Sequence, residues 1–145
     1  MLLFIVKSRL TRERETMITR TEDYESGATK LLAYLSANTA DIEAAEREVF
    51  PQVYAGVEYG DVTSEQNKLL FAKSLKYFTF CQFTGSVNAR IKIGGEMTDT
   101  ATSYGQVDTR YLLNVWAEGV RQAKRDAAAI RVLFPSFQVI AKIKI

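Results

Sequence analysis

Histidine is absent from all 145 residues. With it goes the side chain on which most general-base and metal-ligand chemistry rests. A single cysteine, Cys81, permits no internal disulfide and no zinc site of the usual Cys/His kind. It lies beside Phe80 and Phe83, the setting of an inert buried thiol rather than a nucleophile. Prolines number only two, Pro51 and Pro135, so long stretches are free to form regular structure. No Walker lysine–serine pair or calcium-loop ligand series occurs, although Glu96 and Asp99 follow Gly94-Gly95. Glu43, Glu46 and Glu48 share a segment, but their spacing scatters them and no histidine completes a di-metal pattern. No internal repeat of solenoid length is present. The expectation is no catalytic residue, no cofactor, no metal and no small-molecule substrate.

What is present is a chain of one-domain size, 47% apolar and 25% charged, which suits an ordered, helix-rich domain. The formal charge of +2 belongs entirely to the first sixteen residues, where Lys7, Arg9, Arg12 and Arg14 outnumber Glu13 and Glu15. The remainder is balanced, so it has no overall field to gather nucleic acid from solution. Residues 1–16 join a six-residue apolar run, Met1 to Val6, directly to this charged stretch. The run is too short to span a membrane, and a secretory signal carries its positive charges before the apolar stretch rather than after it. Two readings stand for this extension. One makes Met17 the natural start, with the Arg-Glu-Arg-Glu stretch translated from a purine-rich ribosome-binding site. The other makes Leu2 to Val6 an edge strand or partner-binding arm.

From Met17 onward the periodicity predicts four helices. Thr21, Glu22, Asp23 and Glu25 supply a cap and acidic first turn for a helix to about Leu35, with Tyr24, Ala28, Leu31, Leu32 and Leu35 apolar. A second starts near Ala40, with Ile42, Ala45, Val49, Phe50 and Val53 inward and Glu43, Glu46, Arg47 and Glu48 outward, until Pro51 and the loop Gly56 to Val62. Thr63 with Gln66 has capping-box spacing, and Ser64 is a second cap for a third helix, Ser64 to Gly85. Its expected core residues are Leu69, Ala72, Leu75, Phe78 and Phe83, with Lys68, Lys73 and Lys76 outward. Leu70, Phe71, Tyr77 and Phe80 widen the apolar stripe, which implies contacts on two sides: a central helix, or one covered by a neighbouring subunit.

Val87, Ala89, Ile91 and Ile93 alternate with polar residues, the pattern of a half-buried strand, and Gly94-Gly95 offers a turn into the polar segment Glu96 to Gly105. The last helix, beginning at Asp108 or Thr109 or as early as Asp99, presents Leu112, Trp116, Gly119, Ala123, Ala127, Ile130 and Phe134. Gly119 and Ala123 allow a close neighbour, and Arg121, Lys124, Arg125 and Arg131 lie outside. After Pro135, residues Phe137 to Ile145 alternate again, and Ala141 to Ile145 echoes Ala89 to Ile93. Two such strands either pair with each other or add to another chain's sheet. The fold expected is mainly α: a small helical bundle with two long helices, a β-hairpin or arm between them and a short C-terminal strand. Residues 17–135 form the body, flanked by the extension 1–16 and the strand or arm 136–145.

The order of short helix, acidic helix, long helix, strand with Gly-Gly, polar loop and long last helix resembles the head-tail connector proteins of tailed bacteriophages. The segments carrying the likeness are Asp41 to Glu46, Leu69 to Phe83, Ile91 to Gly95 and Leu112 to Phe134; it is one of layout, without a diagnostic motif. The resemblance implies a structural adaptor of the virion neck, assembled in the host cytoplasm as a ring, commonly twelve-fold. It would bind the portal and other neck or tail proteins and touch passing DNA without sequence preference. The subunit and portal interface would comprise Arg90, Ile91, Lys92, Ile93, Phe71, Phe80, Val139, Lys142, Ile143, Lys144 and Ile145. The alternatives are another neck or tail-completion protein, or a cytosolic helical regulator that dimerises through the same apolar faces.

Overall fold

The computed structural model describes residues 17–20, 39–94 and 109–143, with side chains given for 17–20, 40–84 and 110–143. Within them the chain is mainly helical. Helix α1 spans Thr39–Val53, β1 is Tyr54–Ala55, a 3-10 turn covers Tyr59–Asp61, α2 runs Glu65–Gly94, α3 runs Thr109–Leu133, and β2 is Gln138–Val139. This is the small helical bundle with a C-terminal strand that the periodicity predicts. The extension 1–16, the helix expected to about Leu35 and the polar segment after Gly95 lie outside the described residues.

Helix α1 buries Ile42, Ala45, Val49, Phe50 and Val53, the face its spacing predicts. Glu46 was expected on the outer face and is instead fully buried. Pro51 is accommodated inside the final turn, where the helix is about to end. Gly56 then turns the chain at φ +81°, in the left-handed region that a side chain rarely adopts. A Cβ there would also lie 1.9 Å from the Ser136 carbonyl oxygen, so the position accepts glycine alone for two independent reasons.

Ser64, rather than Thr63, caps α2: its Oγ accepts the Asn67 N–H at 3.2 Å. Helix α2 is the centre of the bundle, packed by α1 on one side and α3 on the other. The wide apolar stripe is therefore covered within the chain. One core cluster includes Phe71, Leu75, Phe78, Trp116, Val120 and Ile130, and a second includes Met17, Ile42, Phe80, Phe83 and Val115. Two positions reverse their expected sides: Leu69 is half exposed and Lys68 is buried. On α3, Gly119 lets α2 approach as the small-residue pattern predicts. A Cβ at that position would stand 2.9 Å from Phe78 Cε1 and 3.0 Å from Tyr77 Cβ.

The segment Val87 to Ile93 is helical, the last turns of α2, and not the strand its alternation suggests. Once α2 is formed, each further residue adds a backbone hydrogen bond at little extra cost, whereas a lone strand gains nothing without a partner. Gly85 therefore lies inside the helix instead of ending it. The C-terminal strand pairs elsewhere: β2 runs antiparallel to β1, with Tyr54 opposite Val139 and Ala55 opposite Gln138.

Around this short ladder the aromatic core is dense. Tyr54 stands at its centre, with ring centroids 5.0 Å from Phe50, 5.4 Å from Phe71, 5.5 Å from Phe137 and 6.0 Å from Phe78. Its buried hydroxyl shares a hydrogen bond with Ser74, and burial holds the phenol in its neutral form far above the usual tyrosine range.

Candidate assembly surface

The tail after α3 is anchored at four points. Phe137 donates its N–H to the Phe134 carbonyl at 2.9 Å and accepts Arg131 Nε at 3.0 Å. Ile140 donates to the Val53 carbonyl at 2.9 Å, and the Trp116 indole N–H reaches the Lys142 carbonyl at 2.8 Å. Phe137 and Ala141 are buried between these anchors. The polypeptide is thus pinned across the end of the bundle as far as Lys142, and its outward side chains have fixed positions.

Two of those outward side chains, Ile140 and Ile143, are large and apolar, and the last turn of α3 adds Val132 and Leu133. The exposed large hydrophobic residues among the described part of the chain are Leu69, Val132, Leu133, Ile140 and Ile143. Four of the five fall within positions 132–143, and Val132 is 81% exposed. This concentration marks the end of α3 and its tail as a surface that another molecule would profitably cover.

The residues expected at a subunit interface divide accordingly. Ile143 and Lys142 are exposed on the tail, and Val139 is half-buried in β2. Phe71 and Phe80 do not belong to an interface: each is buried within the chain, one in each core cluster, because α2 is flanked by helices of its own chain on both sides. Arg90, Ile91, Lys92 and Ile93 stand on the final turns of α2, so they form no strand-like arm. Lys144 and Ile145 lie outside the described residues.

A second feature adjoins the tail. A surface cleft of about 510 Å³ opens between α3 and residues 135–139, with Ala127 as part of its floor and Lys124 and Arg131 on its rim. Both cations are exposed, and neither has an ion pair among the described residues. Arg121, by contrast, pairs with Glu118 at 3.0 Å.

Glu46, like Lys68, is a charged group expected on the outer face and buried instead. Its Oε1 accepts the Thr19 N–H at 2.7 Å and the Thr19 hydroxyl at 2.6 Å, while Oε2 accepts the Ile18 N–H at 2.9 Å and the Tyr59 hydroxyl. Burial raises its pKa above the ordinary carboxylate value, and the hydrogen bonds offset part of that rise. The carboxylate is saturated by its own chain, so its chemistry is to hold residues 17–20 against α1. Its position was a legible signal: Glu46 lies four residues after Ile42 and three before Val49, inside the apolar stripe.

The Cys81 thiol donates to the Leu112 carbonyl at 3.4 Å, across the seam between α2 and α3. Among the described residues no group of three or more cysteine, aspartate or glutamate side chains is placed to hold a metal ion. No helix among them is long and apolar enough to cross a membrane. The features that stand out are thus a saturated buried carboxylate, a pinned apolar tail and a cationic cleft beside it. Compared with models of protein families, with curated proteins and with solved structures, the chain gives no match.

Proposed function

We propose that this chain is a structural adaptor of the neck of a tailed phage, a head-tail connector that forms a ring between portal and tail. The observation carrying the reading is the concentration of exposed apolar side chains at the end of α3, Val132 and Leu133, and on the tail fixed to the bundle after it, Ile140 and Ile143. An adaptor works by presenting such surfaces in a constant geometry, and its role requires no turnover. The long α2–α3 pair and the resembling layout of Asp41 to Glu46 and Leu112 to Phe134 support it. The Ile91 to Gly95 part of that layout does so less, being helical as far as Gly94.

In this role the apolar tail meets an adjacent subunit or the portal, and Lys142 and Lys144 supply non-specific contact with acidic surfaces or passing DNA. The test is native mass spectrometry of the full chain, alone and with the portal protein of the genome that encodes it. A cyclic high-order assembly, or a stoichiometric complex with the portal, is the expected outcome. A stable dimer indifferent to the portal overturns the reading in favour of a dimeric helical regulator.

A further inference from the structure

The described residues divide by charge along the chain. Residues 41–65, from the first turn of α1 to that of α2, hold seven acidic side chains against one cation, Arg47. Residues 110–143, which make up α3 and its tail, hold six cations against two acids, Glu118 and Asp126. Internal pairing sharpens the division. Arg47 is taken by Glu43 and Glu118 by Arg121, while Asp126 accepts the Gln122 amide. Asp41, Glu48 and Glu58 remain exposed on one side and Lys124, Arg125 and Lys142 on the other, none with an ion pair among the described residues. A nearly neutral sum thus conceals an acidic face and a basic one. Because α1 and α3 pack on opposite sides of α2, their exposed stripes look outward in different directions.

The two stripes also match in form. On α1, Asp41, Ala44 and Glu48 recur at helical spacing and are exposed; on α3, Arg125, Ala128 and Val132 do the same. An alanine in each stripe lets the two helix backbones approach closely, with charge of opposite sign beside it. We propose that these faces are the two halves of one contact: α3 and the tail of one copy dock on the outer side of α1 of the next copy, head to tail. The proposal rests on the reading of the α3 end and tail as an assembly surface, and it names what covers that surface. Two-fold pairing of α3 with α3 is a poorer arrangement, because it sets Lys124, Arg125 and Lys142 against their own counterparts. In the head-to-tail contact the exposed Val132 is covered, and the charges around it select the face it meets. Each added copy leaves one face of each kind open, so assembly continues beyond a dimer.

Two charge-reversed full-length chains test this, Asp41→Lys with Glu48→Lys on α1, and Lys124→Glu with Arg125→Glu on α3, each checked for folding by circular dichroism. All four positions are exposed, and the side-chain hydrogen bond lost with Arg125 is the one to Gln122 at 3.4 Å. In sedimentation velocity at low ionic strength the wild type should assemble beyond a dimer, and added salt should dissociate it. Each variant alone should self-associate at least tenfold more weakly. An equimolar mixture of the two should regain the assembly, because each supplies the charge the other has lost. A wild type that stays monomeric, stops at a dimer or ignores salt overturns the proposal without recourse to any variant. Either variant assembling alone as the wild type does, or a mixture that fails to reassemble, also overturns it. Adding the portal protein separates this proposal from the connector reading. A monomer that binds the portal stoichiometrically keeps the connector reading and overturns this one. Head-to-tail chains that neither close into a ring nor bind the portal support this one and overturn the connector reading.

Discussion

Glu46 is where a single side chain decides most. Four donors converge on a carboxylate with no access to solvent, so removing it leaves at least two backbone N–H groups buried without acceptors. Glu46→Ala is expected to destabilise the fold by about 3 kcal/mol, at roughly 1–3 kcal/mol for each stranded group, measurable by chemical denaturation. The same residue gives a pH signature. Because its folded-state pKa lies above the ordinary value, the folded chain binds the proton more tightly than the unfolded chain. Its contribution to stability therefore falls as pH rises from the ordinary carboxylate range through the raised value, and is greatest below that range. Wild-type stability minus that of Glu46→Gln should decline with rising pH in that window; a rising difference would contradict the assignment. Thr79 is the opposite case. Its hydroxyl is buried on α2 with no hydrogen-bond partner among the described residues, so Thr79→Val should be neutral or stabilising by up to about 1 kcal/mol in the same assay.

Among elements, α2 depends on close approach. A Cβ at Gly119 on α3 would run into the Tyr77 Cβ, an atom that cannot move without the helix backbone, as well as the Phe78 ring. Gly119→Val should force the α2–α3 seam apart and cost about 1–3 kcal/mol, read as a lower denaturation midpoint. The β1–β2 ladder is equally exacting. At Gly56 a side chain meets the Ser136 backbone, so Gly56→Ala should release the tail, visible as faster hydrogen exchange at Ile140. Both glycines act between elements, one by proximity and the other by conformation as well.

For the molecule as a whole, the tail serves two purposes at once. Deleting Val139 to Ile145 removes the Val53 ladder bond, the Trp116 hydrogen bond and the buried Ala141 along with the exposed isoleucines. Such a deletion weakens the fold and any assembly together, so it cannot separate them. Val132→Lys and Ile143→Lys change only exposed positions and should leave stability within about 0.5 kcal/mol of wild type. If the connector reading holds, the pair should still abolish high-order assembly in native mass spectrometry; intact rings in the double variant would remove this surface from the interface.

Helical periodicity is a local property, and it was readable to that extent. The inward face of α1 and the close approach at Gly119 follow from residue spacing, because a 3.6-residue repeat needs only its own segment to show itself. The exceptions share one cause. Val87 to Ile93 has the alternation of a strand, but α2 extends through it, and the C-terminal strand that resembles it pairs with β1 instead. Phe71 and Phe80 look like surplus apolar surface until α1 and α3 cover them from opposite sides. Glu46 reads as a solvated charge until Ile18, Thr19 and Tyr59 bring donors to it from distant positions. Likewise, the cleft between α3 and β2 exists only once the tail has folded back. Spacing along the chain therefore establishes a helical domain, whereas strand pairing, burial of polar groups and the location of the open surface depend on contacts between residues far apart in sequence.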